Sequence, residues 1–411
     1  MATKIFPPTK WQQNVIDLPT SKSISNRLLI IQYLCKEPFD IECLSESDDT
    51  QVLAQALANI ENTTIDVGHA GTAMRFLTAL LSVTPGTHLL TGSARMQKRP
   101  LDPLVLALQA LGATIHFENQ TGFPPVRIEG KPLIGGRVKM PANVSSQFLS
   151  ALMLVGPTMS EGLIIELTGD LTSQDYLKMT AELMRQHGVQ VQFSNSLIRV
   201  APGAYQPKSQ RVEADWSAAS YWYQMVALGK TEGLTLTGLY ERSLQGDRKV
   251  ATLFEGLGVS SFFSAEGVRL KKVAKSVMGE FRYDYSHQPD LAQTFAVTLC
   301  ALGIPYILSG LHTLYIKETD RIQALVSELM KFGYALEDEI PGTLSWDGRQ
   351  FEVTQQEVFV ATYEDHRMAM AFAPLSLIYP GLVIMSPGVV SKSYPHFWDD
   401  LLKVGFRLKR I

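Results

Sequence analysis

One pattern recurs along the 411 residues and restricts the fold more tightly than composition does. Six segments share a layout: a Ser, Asp or small-residue start, an apolar helix of about ten to thirteen residues, a Gly or Pro break, and a strand. They are SISNRLLIIQYLCKEPFDIEC, AGTAMRFLTALLSVTPGTHLLT, SSQFLSALMLVGPTMSEGLIIEL, SAASYWYQMVALGKTEGLTLT, DLAQTFAVTLCALGIPYILS and DHRMAMAFAPLSLIYPGLVIMS. Their starts lie near Ser23, Gly71, Ser145, Asp215, Asp290 and Asp365, and after a shorter first interval they recur roughly every 70 to 75 residues. A second series interleaves: LVLALQALGATIHF, LKMTAELMRQHGVQVQF, RKVATLFEGLGVSSFF, RIQALVSELMKFGYALED and WDDLLKVGFRLKRI, with a weaker copy at 49–65. Each reads as an amphipathic helix, a Gly past its end and a short strand. Helix and strand pairs in that order specify an α/β fold built from six copies of one supersecondary unit.

A chain of this length is too long for one ordinary core and suits two domains of about 200 residues. Hydrophobic residues make up 45% and charged residues 19%, which supports packed cores rather than disorder. The net charge of -3 argues against a nucleic-acid or membrane-surface role carried by bulk charge. Cys35, Cys43 and Cys300 have no CxxC spacing, so neither a disulfide framework nor a metal site is expected, and a reducing compartment fits. No apolar run follows Lys4 in the manner of a signal peptide, so a cytoplasmic location is expected. Two uncharged stretches, 291–316 and 368–391, are interrupted by Gly303 and Pro305 and by Pro380 and Gly381. Each reads as a buried helix followed by a buried strand, not as a membrane span.

The middles of the apolar helices are core, but their beginnings carry chemistry. Helix N-termini present unpaired N–H groups and a partial positive charge, which favour anions. Lys22, Ser23 and Arg27 open the first helix, and Gly71 opens the second, where a missing side chain lets a ligand approach the backbone. Arg95, Lys98 and Arg99 precede Pro100, a residue able to start a helix. Ser145, Ser146 and Gln147 open the third, with Ser173 and Tyr176 able to reach the same ligand. Asp290 is either the cap of an uncharged helix or a partly buried carboxylate able to act as a base. Lys317 and Arg321 read as like charges at i and i+4 of one helix, costly unless an anion sits nearby. Arg367 opens the sixth helix after Asp365, and Lys392 follows the sixth strand. Singly, each group is an ordinary cap or solvated turn. Together, cations at the same end of several equivalent units converge on one cleft.

The strings PTSKSISNR, HAGTAMR, RMQKRPL, VSSQFL, DLTSQDY, EADWSAAS, SLQGD, QPDLAQT, IKETDR, YEDHRMAM and SKSYP resemble, in order and spacing, the 5-enolpyruvylshikimate-3-phosphate synthase family over nearly the whole chain. The resemblance implies a two-domain enolpyruvyl transferase fold, each domain holding three βαβαββ units around a pseudo-threefold axis. Residues 1–19 plus 214–411 would form one discontinuous domain and 20–213 the other, with the active site in the cleft between them. It implies transfer of the carboxyvinyl group of phosphoenolpyruvate to the 5-hydroxyl of shikimate 3-phosphate, by addition and elimination through a tetrahedral intermediate. That step serves chorismate and aromatic amino acid biosynthesis. No cofactor or metal is implied, the partners are the two small substrates with no nucleic acid or membrane, and a monomer is expected.

By the same resemblance Lys22, Ser23, Arg27, Ser145, Ser146, Gln147, Ser173, Asp290 and Lys317 hold shikimate 3-phosphate, with Tyr176 beside them. Lys22, Gly71, Arg99, Gln147, Arg321, Arg367 and Lys392 hold phosphoenolpyruvate. Asp290 is the base, and Glu318 or Lys22 the acid. Two highly anionic substrates must meet, so a chain of slightly negative net charge has to concentrate cations at one place. The sequence departs from the family pattern at Thr20 (usually glycine), His69 (usually asparagine) and Thr313 (near a common asparagine), and none of these removes a charged group. A sister transferase acting on UDP-N-acetylglucosamine would carry a lysine-asparagine pair where Lys22-Ser23 stands, and usually a cysteine within 86–103, where there is none. A non-catalytic anion-binding protein on this fold would lack Asp290 or Glu318, and both are present.

Overall fold

The six apolar stretches become helices α1 (Lys22–Leu34), α2 (Gly71–Val83), α3 (Ser146–Val155), α4 (Trp216–Leu228), α5 (Ala292–Leu302) and α6 (His366–Phe372) in a computed structural model describing all residues except 1, 170, 195, 232, 277–278 and 354–356. Asp170, first residue of the DLTSQDY string, therefore lies outside the described residues. An α-helix that is apolar all round has no face for water and must be covered on every side. In α2 every residue from Gly71 to Ser82 is buried, and in α5 every residue from Ala292 to Cys300. The sixth helix is shorter than its sequence implies. It passes into a 3-10 turn at Ala373–Leu377, because Pro374 has no N–H to donate and its ring displaces the preceding carbonyl.

The chain divides into two compact units, Ser21–Val212 and Met1–Thr20 with Glu213–Ile411. Helices α1, α2 and α3 pack together in the first; in the second, α5 packs on both α4 and α6. Among the described residues each unit has three sheets, and one connection order recurs in four of the six. A strand leads into an inner helix and then into a parallel strand, after which an amphipathic helix returns the chain to antiparallel positions. In Ser21–Val212, Thr64–Asp66 pairs in parallel with Gly86–Thr91 across α2, and Val126–Gly130 and Thr114–Phe117 complete the sheet. Gly136–Pro141 and Leu163–Thr168 do the same across α3. The weak copy at 49–65 forms the helix Asp48–Ala58 and the strand Thr64–Asp66 of that first sheet, while Ile41–Glu42 and Gln210–Arg211 make a separate two-stranded parallel pair.

In the other unit, Val15–Asp17 pairs in parallel with Leu234–Thr237, Phe281–Asp284 with Tyr306–Ser309 around α5, and Phe359–Val360 with Leu382–Met385 around α6. Ala2–Phe6 lies between Leu382–Met385 and Arg407–Arg410, antiparallel to both. The chain passes between units in two neighbouring strands: Thr20 bridges Ala214, and the Asp215 N–H donates to the Pro19 carbonyl at 2.8 Å. Thr20 is paired backbone outside the left-handed region, so the freedom of a glycine is not needed there. Because each inner helix follows its first strand, its N-terminus stands beyond the carboxyl end of that strand, the usual place for ligand groups in α/β sheets.

The end of α2 abuts the sheet it crosses. A Cβ on Gly130 would lie 1.8 Å from the Thr84 carbonyl oxygen and 2.2 Å from that of Leu81, both backbone atoms that cannot swing away. Gly130→Ala is expected to lower unfolding free energy by about 2 kcal/mol or more, read from the urea midpoint. An unchanged midpoint would show that the strand is not held against the helix end.

Candidate active site

In the unit Met1–Thr20 with Glu213–Ile411, Arg321 begins the amphipathic helix Arg321–Met330 and is 1% exposed. A guanidinium so placed must have its N–H groups paired. Three carboxylates do this: Nε donates to Asp365 at 2.7 Å, Nη1 to Asp290 at 2.9 Å and Nη2 to Glu318 at 2.9 Å. Burial would lower its pKa, but Asp365, Glu318 and Asp290 outweigh burial and raise it. The i, i+4 helical spacing expected for Lys317 and Arg321 is not what forms. Lys317 ends the 3-10 turn His312–Ile316, and the helix starts only at Arg321, capped by Asp320 accepting from the Ile322 and Gln323 N–H groups at 3.1 Å. What joins the two cations is Asp290, whose Oδ1 lies 2.9 Å from Arg321 Nη1 and 3.6 Å from Lys317 Nζ.

Asp290 is thus a charged group and not a helix cap; it lies in the 3-10 turn Pro289–Leu291 ahead of α5, with no side-chain cap bond. Its other oxygen accepts from Arg367 Nη2 at 2.9 Å. Burial alone would push its pKa up, but Arg367, Lys317 and Arg321 hold it well below the ordinary carboxylate range. Burial lowers the pKa of Lys317, opposed by Asp290. Arg367 opens α6, where the cap Asp365 accepts its backbone N–H at 2.8 Å while binding Arg321 with the other oxygen. Lys392 Nζ pairs with Glu318 Oε1 at 2.9 Å. Four cations, Lys317, Arg321, Arg367 and Lys392, therefore surround Asp290, Glu318 and Asp365. Sequence reasoning quoted Asp365 and Asp247 in motifs but gave neither a role. Asp365 lies 44 residues from Arg321, a separation no local pattern reports.

Asp247, in the 3-10 turn Gly246–Arg248, accepts a short hydrogen bond from Ser217 in the first turn of α4, and Ser217 in turn accepts from Arg367 Nη2 at 3.4 Å. Burial, then the charge of Asp290, raises its pKa to about 7, against the pull of Ser217 and Arg367.

In Ser21–Val212, Ser21 caps α1 and Lys22 follows, its Nζ 3.4 Å from buried Asp49. Arg27 is buried; Nε donates to Thr180 at 2.6 Å, Nη1 to the Ser23 carbonyl at 2.8 Å, and Nη2 to Ser150 at 3.0 Å and the Tyr176 carbonyl at 3.5 Å. Burial lowers its pKa to about 10. Gly71 and Arg99 lie together: a Cβ at Gly71 would fall 2.6 Å from Arg99 Nη1. Arg99 Nε is buried with no hydrogen-bond partner among the described residues. Arg75, which the sequence reading passed over, donates to the Gly71 carbonyl and the Pro100 carbonyl, both at 3.2 Å, and so ties the Gly71 turn to the Arg99 loop. Pro100 itself starts no helix; the helix is Asp102–Ala110, with Pro103 in its first turn. Ser145 caps α3 by accepting the Gln147 N–H at 3.4 Å, and Gln147 Nε2 reaches Thr72 at 3.2 Å, joining the starts of α2 and α3. Ser146 and Ser173 are buried, and Ser173 takes a left-handed conformation, φ 53°, before the helix Gln174–Gln186 that carries Tyr176.

Both units thus hold groups suited to anions. Residues 54–401 match the family described as EPSP synthase (3-phosphoshikimate 1-carboxyvinyltransferase). The chain belongs to the EPSP synthase family. A 3-phosphoshikimate 1-carboxyvinyltransferase of Bacteroides fragilis is 50% identical over 395 residues, covering 96% of each chain, and one of Sulfurovum sp. is 33% identical over 96% of this chain and 97% of that one. The structure is similar to EPSP synthase from Acinetobacter baumannii, TM-score 0.78 with 20% identity over the whole of both chains. It is also similar to the enolpyruvyl transferase NikO of Streptomyces tendae, TM-score 0.76 with 14% identity, covering 99% and 98%. The fold is thus shared with a protein named only as an enolpyruvyl transferase, and it is the sequence match that places this EPSP synthase family member apart from the sugar-nucleotide alternative.

Asp247 gives a test of the buried cluster. Its folded pKa near 7 exceeds the unfolded value of 3.8, so the folded state retains a proton that the unfolded state has lost. Stability from this group falls as pH rises between those values and is level above them. Asp247→Asn removes that fall, so the variant should gain about 2 kcal/mol relative to the parent between pH 5 and pH 8, measured by urea unfolding. An identical difference at both pH values would show the carboxyl ionised throughout.

Proposed function

We propose that this transferase joins phosphoenolpyruvate to the 5-hydroxyl of shikimate 3-phosphate, with Asp290 as base. The supporting observation is the Asp290 carboxylate held by Arg321 and Arg367 at 2.9 Å each, beside Lys317 at 3.6 Å. In this arrangement Asp290 is ionised but weakly basic. Anionic substrate binding to the same cations offsets their field, and the carboxylate becomes more basic when a hydroxyl stands ready to lose its proton.

In this reading Lys317, Ser23, Arg27, Ser145, Ser146, Gln147, Ser173 and Tyr176 hold shikimate 3-phosphate, and Lys22, Gly71, Arg99, Gln147, Arg321, Arg367 and Lys392 hold phosphoenolpyruvate. Addition joins the 5-oxygen to C2 of the enol while C3 takes a proton from Glu318 or Lys22, and the hydroxyl proton passes to Asp290. The tetrahedral intermediate then loses a proton from C3 and expels phosphate. Cations aimed at the phosphate and carboxylate stabilise this charge without reorganising, provided water is excluded from the site. The cytoplasm and a monomeric state fit an enzyme of small soluble substrates.

Phosphate release should require shikimate 3-phosphate and fail with UDP-N-acetylglucosamine; activity only with the sugar nucleotide, or with neither, would overturn the reading. Asp290→Asn should keep the far-ultraviolet circular dichroism of the parent and lose kcat by about 10²- to 10⁴-fold. Unchanged turnover would remove Asp290 as the base.

A further inference from the structure

We infer that Glu328 and Tyr363 are positioning residues for the phosphoenolpyruvate grip, holding a left-handed turn that aims Asp365 and, through it, Arg321 and Arg367. Glu328 lies on Arg321–Met330, seven residues and two turns beyond Arg321, on the same face of the helix. Its side chain is fully buried, where a carboxylate is costly unless every lone pair finds a donor. Two of the donors come from one short segment, 361–363, and the third is Lys331 at the end of Glu328's own helix. Oε1 accepts the Tyr363 hydroxyl at 2.6 Å, and Oε2 accepts the Ala361 N–H at 3.1 Å and Lys331 Nζ at 2.6 Å. Lys331 also donates to the Phe359 carbonyl at 2.9 Å.

The segment so held is strained. Tyr363 and Glu364 are consecutive non-glycine residues in the left-handed region, at φ 52° and 58°, which costs roughly 1–2 kcal/mol each and persists only where the surroundings enforce it. Asp365 then closes the turn, its N–H donating to the Thr362 carbonyl at 2.8 Å. From this fixed position its carboxylate divides between Arg321 Nε and the Arg367 N–H. One helix therefore clamps the turn twice, through Arg321 at its first residue and Glu328 two turns on. A buried apolar side chain could fill the space of Glu328, but it could not bind both the hydroxyl and the N–H that fix the turn. Tyr363 is 38% exposed, so its hydroxyl acts as a tether and its ring adds little to the core.

The inference rests on Arg321 and Arg367 being phosphoenolpyruvate ligands, and the test separates the two ideas. KM for each substrate, kcat and urea stability would be measured for Tyr363→Phe, Glu328→Gln, Arg367→Lys and the destabilised control Gly130→Ala. Tyr363→Phe and Glu328→Gln should raise KM for phosphoenolpyruvate about three- to tenfold and change KM for shikimate 3-phosphate less than about twofold. Gly130→Ala should lower stability without moving either KM. If Arg367→Lys leaves KM for phosphoenolpyruvate unchanged, the ligand reading fails and the inference with it. If Arg367→Lys raises it while Tyr363→Phe does not, the ligand reading stands and the positioning role is overturned. Should Glu328→Gln not fold, Tyr363→Phe decides alone.

Discussion

The unit Met1–Thr20 with Glu213–Ile411 depends on a buried guanidinium shared among three carboxylates. Arg321 binds Asp365, Asp290 and Glu318, which come from the turn before α6, the turn before α5 and the loop before its own helix. Removing a partner from such a set leaves a buried charge unpaired, which costs more than the pair contributes to stability. The arrangement suits a chain that must keep several cations close together before a ligand arrives. Without interleaved carboxylates, Lys317, Arg321, Arg367 and Lys392 would repel one another; with them, the cluster persists and still presents excess positive charge to an incoming anion.

The same ion pairs suppress the basicity of the group expected to take the proton. A carboxylate that is a weak base in the free enzyme and a stronger one beside bound anions couples chemistry to occupancy. Ser21–Val212 shows a different solution. Arg27 is bound by hydroxyls and carbonyls, and Arg99 lies against a glycine, its buried Nε without a hydrogen-bond partner among the described residues.

Much of the architecture was legible because its signal is local and repeated. An apolar stretch without a polar face, a Gly or Pro break and a strand specify α2 or α5 almost unaided. Where the reading slipped, a nearer preference prevailed over periodicity. Pro374 shortened α6, and the helix with Asp320 at its cap began four residues after Lys317, so the expected i, i+4 pair never formed. The charged groups of the expected site were visible as motifs, but what holds them was not. Asp365, Asp49 and Arg75 act through partners set by the tertiary fold, and their roles emerge only when strands and helices are placed.

The position of Ala2–Phe6 has a consequence for how the polypeptide is made. This strand lies between Leu382–Met385 and Arg407–Arg410, and Val15–Asp17 waits for Leu234–Thr237. During synthesis the segment Ser21–Val212 is complete, and free to fold, before any of those partners exists. The early strands must meanwhile remain unpaired, and they close their sheets only through contacts of very large sequence separation, which form slowly. Assembly is thus ordered in time by the route of the chain: the uninterrupted unit matures first, and the one that carries Asp290 is finished by strands roughly 400 residues apart.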